Sequence, residues 1–159
     1  MTSQNTKIGF IGCGNMGGAI ARAISKVMRT KLYISEPNVA KAKEISNEIG
    51  CEITTGNEIC EGCDFVFLAI KPNLFDTVVP SLRASLERGH ATIVTMAAGV
   101  AISKLEELVG KLPIIRIMPN TPVAVGKGMI TWCKNELVSD ENTEEFLRLF
   151  SEVTSFSSQ

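Results

Sequence analysis

Six short, mostly apolar runs punctuate the chain, at Lys7–Ile11, Lys31–Ser35 and residues 51–54, 64–69, 91–96 and 113–118. Most are too uniformly apolar to have a solvated face, which predicts strands covered on both sides, as in a parallel sheet. Between them apolar residues recur at helical spacing: Met16, Ile20, Ile24 and Val27 in one segment, with Val39–Ile49 and residues 74–86 forming others. Ser103 and Glu106 have the spacing of a capping box at the head of a further helix. Strands that alternate with helices predict right-handed crossovers and a doubly wound α/β fold, a mostly parallel sheet between two helical layers. Towards the end, residues 128–133 read as another strand, Asp140–Phe150 as a helix and 153–156 as a last short strand whose direction the pattern leaves open. No repeat, low-complexity tract or linker interrupts residues 1–159, so a single domain is expected.

The strongest chemical signal lies at the first strand-to-helix turn. Gly12-Cys13-Gly14-Asn15-Met16-Gly17 follows directly on Ile8-Gly9-Phe10-Ile11. This is G-x-G-x-x-G between a strand and an amphipathic helix, the setting of a Rossmann-type dinucleotide site. Gly12 permits the tight turn, Gly14 lets a pyrophosphate approach the backbone, and Gly17 lets the helix lie close to the sheet. Unpaired amides at the helix start then face the phosphates. At the end of the second run, Ile34-Ser35-Glu36, the carboxylate of Glu36 stands 22 positions after Gly14, close to the ~20 expected of a ribose-binding acid. A carboxylate there accepts from a ribose 2′-hydroxyl and repels a 2′-phosphate, so charge alone leans to NAD(H) over NADP(H). The alternative is a residue that merely opens the next helix. Ala69-Ile70-Lys71-Pro72 and Met96-Ala97-Ala98-Gly99 end two further strands on the same edge, where open α/β sheets bind ligands. Lys71 is placed either to steady a phosphate or carboxylate or simply to be solvated in a turn. The sixth strand runs into Arg116-Ile117-Met118-Pro119-Asn120-Thr121-Pro122, whose two prolines bracket Asn120 and Thr121 and are expected to fix a rigid loop presenting both.

Charge and composition narrow the partners. With 16 Lys and Arg against 17 Asp and Glu, the net charge of -1 offers no basic field for nucleic acid or anionic lipid. The polar start and the absence of a long apolar run give no targeting or membrane signal, and a cytoplasmic protein is expected. The five cysteines are an odd set in a chain apolar enough to need no staples, so reduced thiols are expected. Cys60-Glu61-Gly62-Cys63 has C-x-x-C spacing without a second pair to complete a zinc shell. The single histidine, His90, precedes the fifth strand and falls at the edge away from the crevice, so it is read as a surface residue.

Ile8 to Met16, Ala69 to Pro72, Ala97-Ala98-Gly99-Val100 and Met118-Pro119-Asn120-Thr121-Pro122, in this order and spacing, resemble pyrroline-5-carboxylate reductase across essentially the whole chain. The resemblance implies reduction of 1-pyrroline-5-carboxylate to L-proline with NADPH or NADH. It implies that Ile11, Gly12, Cys13, Gly14, Asn15, Met16, Gly17, Ser35, Glu36, Asn57, Ala69, Ile70, Lys71, Pro72, Met96, Ala97, Ala98 and Asn120 line the cofactor. A cyclic imine is protonated near neutral pH and its iminium accepts hydride readily, so positioning carries much of the catalysis. The family continues into a helical domain that makes the dimer and most of the imino-acid site. The resemblance therefore implies a homo-oligomer only through that domain, and a 159-residue chain that holds cofactor but turns over poorly. Other reductases of this architecture, of the β-hydroxyacid dehydrogenase or ketopantoate type, share the first motif, and a non-catalytic nucleotide-sensing module is the alternative from a different class.

Overall fold

A computed structural model describes residues 6–12, 14–27, 31–97, 99–119, 129–150 and 155–158. The apolar runs form strands β1 (Lys7–Ile11), β2 (Lys31–Ser35), β3 (Glu52–Ile53), β4 (Phe65–Leu68), β5 (Thr92–Thr95), β6 (Ile114–Pro119), β7 (Met129–Lys134) and β8 (Ser155–Ser158). They lie in one sheet in the order β3-β2-β1-β4-β5-β6-β7-β8. β1 to β6 are all parallel, β7 runs antiparallel to β6, and β8 is parallel to β7. That settles the direction of the last strand. The switch in strand order falls between β1 and β4, so their carboxyl ends open the crevice of a doubly wound sheet.

Helices α1 (Asn15–Val27), α2 (Val39–Ile49), α3 (Gly56–Gly62), α4 (Phe75–Arg88), α5 (Ile102–Val109) and α6 (Asp140–Phe150) divide between the two faces. Ile20 and Ile24 of α1, Ala42 and Ile45 of α2, and Phe146 and Leu149 of α6 share one core with Ile8, Phe10, Phe67 and Ile115 of the strands. Phe10 and Phe67 stack there with ring centroids 4.7 Å apart. On the other face Ile59, Val79, Leu82, Leu105 and Val109 from α3, α4 and α5 close over Ile11, Val66, Leu68 and Ile93. Adjacent residues of β4 and β5 thus serve different cores, and this is why those runs carry no polar alternation.

Three expectations change. Ser103 does not cap α5: the N-cap is Ala101, without a side-chain bond. The helical stripe of Ile102, Leu105 and Val109 has to reach the core, and burying Ile102 draws the start of the helix ahead of Ser103. Helix α3 was not expected. Its N-cap is Thr55, whose hydroxyl accepts from the Glu58 amide at 3.1 Å. Pro119, the first proline of the expected rigid loop, is instead the last residue of β6, opposite Ile130 of β7. Residues 120–128, which include Asn120 and Thr121, lie outside the described residues.

Candidate functional site

The strand register draws one row across the sheet just below the crevice. Ser35 pairs with Ile11, Ile11 with Leu68, Leu68 with Thr95, Thr95 with Arg116, and Arg116 with Cys133. Partners in register point to the same face, here the one covered by α3, α4 and α5. The residues one step beyond the ends of β2, β1, β4 and β5 are Glu36, Gly12, Ala69 and Met96. The fold therefore brings four separate stretches of expected site residues to one edge.

At the centre of that edge Gly12 has φ +84 and donates its amide to the Ser35 carbonyl at 2.7 Å. A Cβ on Gly12 would stand 2.8 Å from the Ala69 carbonyl oxygen, and one on Gly17 would collide with the Ala69 side chain. Ala69 is itself fixed by donating to the Ile11 carbonyl at 2.8 Å. The turn and the start of α1 are thus pressed onto the end of β4, and two of the three glycines are required by the protein's own packing. Gly14 differs. A Cβ there meets only the Ala69 carbonyl oxygen, at an ordinary 3.6 Å, and Gly14 has no positive φ. The protein leaves space over Gly14, a cradle that suits a diphosphate close to the backbone.

The other expected residues flank this turn. Glu36 tops β2, its Oε2 accepting from the Asn38 amide at 3.0 Å, while Asn38 caps α2. The capping role thus falls to Asn38, and Glu36 stays at the β2 end of the edge. Asn57, in the first turn of α3, accepts from the Ser85 hydroxyl at 2.9 Å and so is tied to α4. Ile70 packs on the α3–α5 core beside Gly12. Lys71 is exposed and precedes the single 3-10 turn Pro72–Leu74, its carbonyl accepting from the Leu74 amide at 2.9 Å. Ala97 is buried, and Met96 packs towards the α1 side. Asn15 and Met16 open α1. Cys13, Ala98 and Asn120 lie outside the described residues.

Two residues in the row were passed over. Thr95 is fully buried, and its Oγ1 has no hydrogen-bond partner; nor has the buried Nε of Arg116. A charged residue inside the apolar run Ile114-Ile115-Arg116-Ile117 was the available signal.

The opposite ends of the strands are chemically quiet. His90 is largely exposed and its Nε2 lies 2.8 Å from Asp64 Oδ1, while Asp64 Oδ2 accepts from the Lys7 amide at 2.8 Å. Burial, with the neighbouring thiol and Glu61 carboxylate adding to it, pushes the Cys60 thiol up to about 12; burial and Asp64 do the same for Cys63. Both thiols are free and buried, and the C-x-x-C pair fills core. A cavity of about 260 Å³ beside α3, lined by Tyr33, Glu52 and Glu58 among others, lies apart from the glycine turn. Desolvation raises the Tyr33 phenol and keeps it neutral there. Among the described residues no cluster of His, Cys, Asp and Glu could hold a metal ion, and no helix is long and apolar enough to cross a membrane.

Residues 7–99 match the family described as NADP oxidoreductase, coenzyme F420-dependent. The chain belongs to this family. Among family relatives, it is 34% identical over 149 residues to the pyrroline-5-carboxylate reductase of Escherichia coli K12, covering 91% of this chain and 55% of that protein. The solved 1-pyrroline-5-carboxylate reductase of Streptococcus pyogenes superposes with a TM-score of 0.85 at 32% identity, over 98% of this chain and 58% of the other. The Plasmodium falciparum pyrroline carboxylate reductase, solved with NADP bound, gives the same TM-score at 27% identity, again over 98% and 58%. The chain thus spans a little over half the length of the relatives it matches. The likeness to these reductases extends well past residue 99, through β6, β7, α6 and β8.

Proposed function

We propose that this chain is the cofactor-binding part of a pyrroline-5-carboxylate reductase, holding NADP(H) or NAD(H) across the carboxyl edge of its sheet. One observation carries the reading: at the switch point Gly12 and Gly17 are closed against Ala69, while a Cβ on Gly14 would make no more than an ordinary contact with the described residues. In this reading the α1 amides and the glycine backbone hold the diphosphate, Glu36 lies at the adenosine ribose, and Ala69 to Pro72 with Met96 and Ala97 line the remainder. When bound, the cofactor supplies hydride to the carbon of a cyclic imine, giving a cyclic amino acid. The chain's own contribution is to fix one reactant and exclude water from it, for no acid-base pair adjoins the crevice among the described residues. The relatives' names support the imino-acid substrate. Their greater length supports an enzyme completed by a further domain.

Calorimetry of the 159-residue chain tests the cofactor half. It is expected to bind NADPH or NADH, and Gly14→Ala is expected to weaken binding at least ~10-fold without a change in melting, because the added methyl clashes with ligand and not with protein. Unchanged affinity in that variant contradicts the placement. The substrate half is tested by joining the chain to the second domain of the Escherichia coli relative and following NADPH oxidation with 1-pyrroline-5-carboxylate against a 2-keto acid. Only the imine is expected to be consumed. Turnover by the isolated chain near the ordinary ~10 s⁻¹ would contradict the need for a second domain.

A further inference from the structure

Arg116 is a charge in an unusual place. It stands in the middle of an apolar strand, level with the end of β5, with its Nε buried and unbonded. No carboxylate among the described residues pairs with it. Of the acids on the neighbouring helices, Asp76 of α4 pairs with Lys104 at 3.1 Å, Glu87 of α4 pairs with Arg83 at 3.3 Å, Glu106 of α5 accepts from Asn135 at 3.1 Å, and Glu107 of α5 is exposed. Its neighbour in the row, Thr95, carries the other unbonded buried polar atom. A guanidinium carries a positive charge, and among the described residues nothing opposite this one neutralises it in this part of the crevice.

Its position says which part of a bound dinucleotide it would face. Arg116 is three strands from Gly12, in the direction of β4 and β5 and away from Glu36. At roughly 4.8 Å per strand this is about 14 Å, beyond the reach of a diphosphate seated on the glycine turn. The two halves of a dinucleotide lie on either side of the switch point, so with the adenosine at Glu36 the nicotinamide half extends over β4, β5 and β6. The nicotinamide ring is neutral when reduced and carries one positive charge when oxidised.

We propose that Arg116 makes the crevice selective for the reduced coenzyme, by placing its positive charge beside the site of the nicotinamide ring. The inference rests on the dinucleotide reading above. Like charges repel the more strongly the less water separates them, so the oxidised ring is penalised and the reduced ring is not. A site that takes up NAD(P)H and lets NAD(P)⁺ go suits a protein that works in the direction of reduction. Thr95 is the neutral, fully buried member of the row and carries no charge with which to discriminate between the two forms.

Dissociation constants of the 159-residue chain for each reduced and oxidised coenzyme, measured by calorimetry, read this out without any turnover. The wild-type chain is expected to bind the reduced form about 10-fold more tightly. Arg116→Gln should bring the ratio close to one by tightening the oxidised form, Arg116→Lys should keep most of it, and Thr95→Val, which changes no charge, should leave the ratio as it is. Raising the salt concentration on the wild-type chain should narrow the ratio, which keeps the test open if the Gln variant does not fold. Equal affinity of the wild-type chain for both forms, or a ratio unmoved by Arg116→Gln and by salt, overturns the proposal. A wild-type chain that binds neither coenzyme defeats the dinucleotide reading itself and the inference with it.

Discussion

The two ends of the central strands are built by opposite rules. At the amino ends polar groups find partners: Asp64 ties Lys7 to His90, Thr6 donates to Glu145 at 2.8 Å, and Asn142 donates to Thr92 at 3.1 Å. Asn135 alone accepts from the amides of Ile114 and Leu137 and donates to Glu106 and to the Leu112 carbonyl. At the carboxyl ends the chain places glycine, alanine and two buried polar atoms without partners. Paired polar groups stabilise the native state, whereas unpaired ones and empty space carry a cost that a ligand can offset. One end holds the sheet together and the other is left unfinished, which is the division expected of a scaffold that carries a site.

Three substitutions or conditions probe that division, in falling order of effect. Gly17→Val breaks both ends at once: with no space between α1 and Ala69 the helix is forced off the sheet. We expect a loss of about 3 kcal/mol in urea titrations together with loss of coenzyme binding. Stability that survives intact would show that the α1–Ala69 contact is dispensable. Asn135→Ala should act on the closed end alone, costing about 2 kcal/mol from the amides and carboxylate it leaves unpaired. Coenzyme affinity is expected to stay within about twofold of wild type, and a larger fall would mean that the two ends are coupled. The smallest effect is in alkali. Unfolded thiols ionise near the ordinary value of 9.0, while folded Cys60 and Cys63 hold their protons to about 12. The stability they lend is therefore full below pH 9 and declines as pH rises through that window. Denaturation midpoints at pH 8 and pH 10 should show the decline, and Cys60→Ala with Cys63→Ala should flatten it. Thiol reagents at pH 8 should label these two cysteines only after unfolding.

Much of this architecture is legible along the chain. Lys7–Ile11, Lys31–Ser35, Val39–Ile49 and Asp140–Phe150 fall where periodicity places them, because in a two-faced sheet burial and local pattern point the same way. The errors share a cause. Thr55-x-x-Glu58 and Ser103-x-x-Glu106 are the same capping signal, yet only the first is used. Thr55 follows an extended strand and is free to turn, whereas Ser103 follows Ile102, which the core pulls into the helix. The site shows a similar split. The glycine motif announces itself because backbone contact with phosphate needs glycine at set spacings, while Thr95 and Arg116 carry no motif at all.

By itself the sequence determined the alternation of strand and helix, the glycine turn and the stretches that end the strands, since each depends on residues near one another in the chain. Only the tertiary structure decided that Ser35, Ile11, Leu68, Thr95 and Arg116 form a single row. It also decided that Ala69 is the floor against which Gly12 and Gly17 close, and that the guanidinium of Arg116 lacks a described counter-charge. Register and compensation are properties of residues brought together from five different strands, and local pattern carries no information about which partner a buried group will meet.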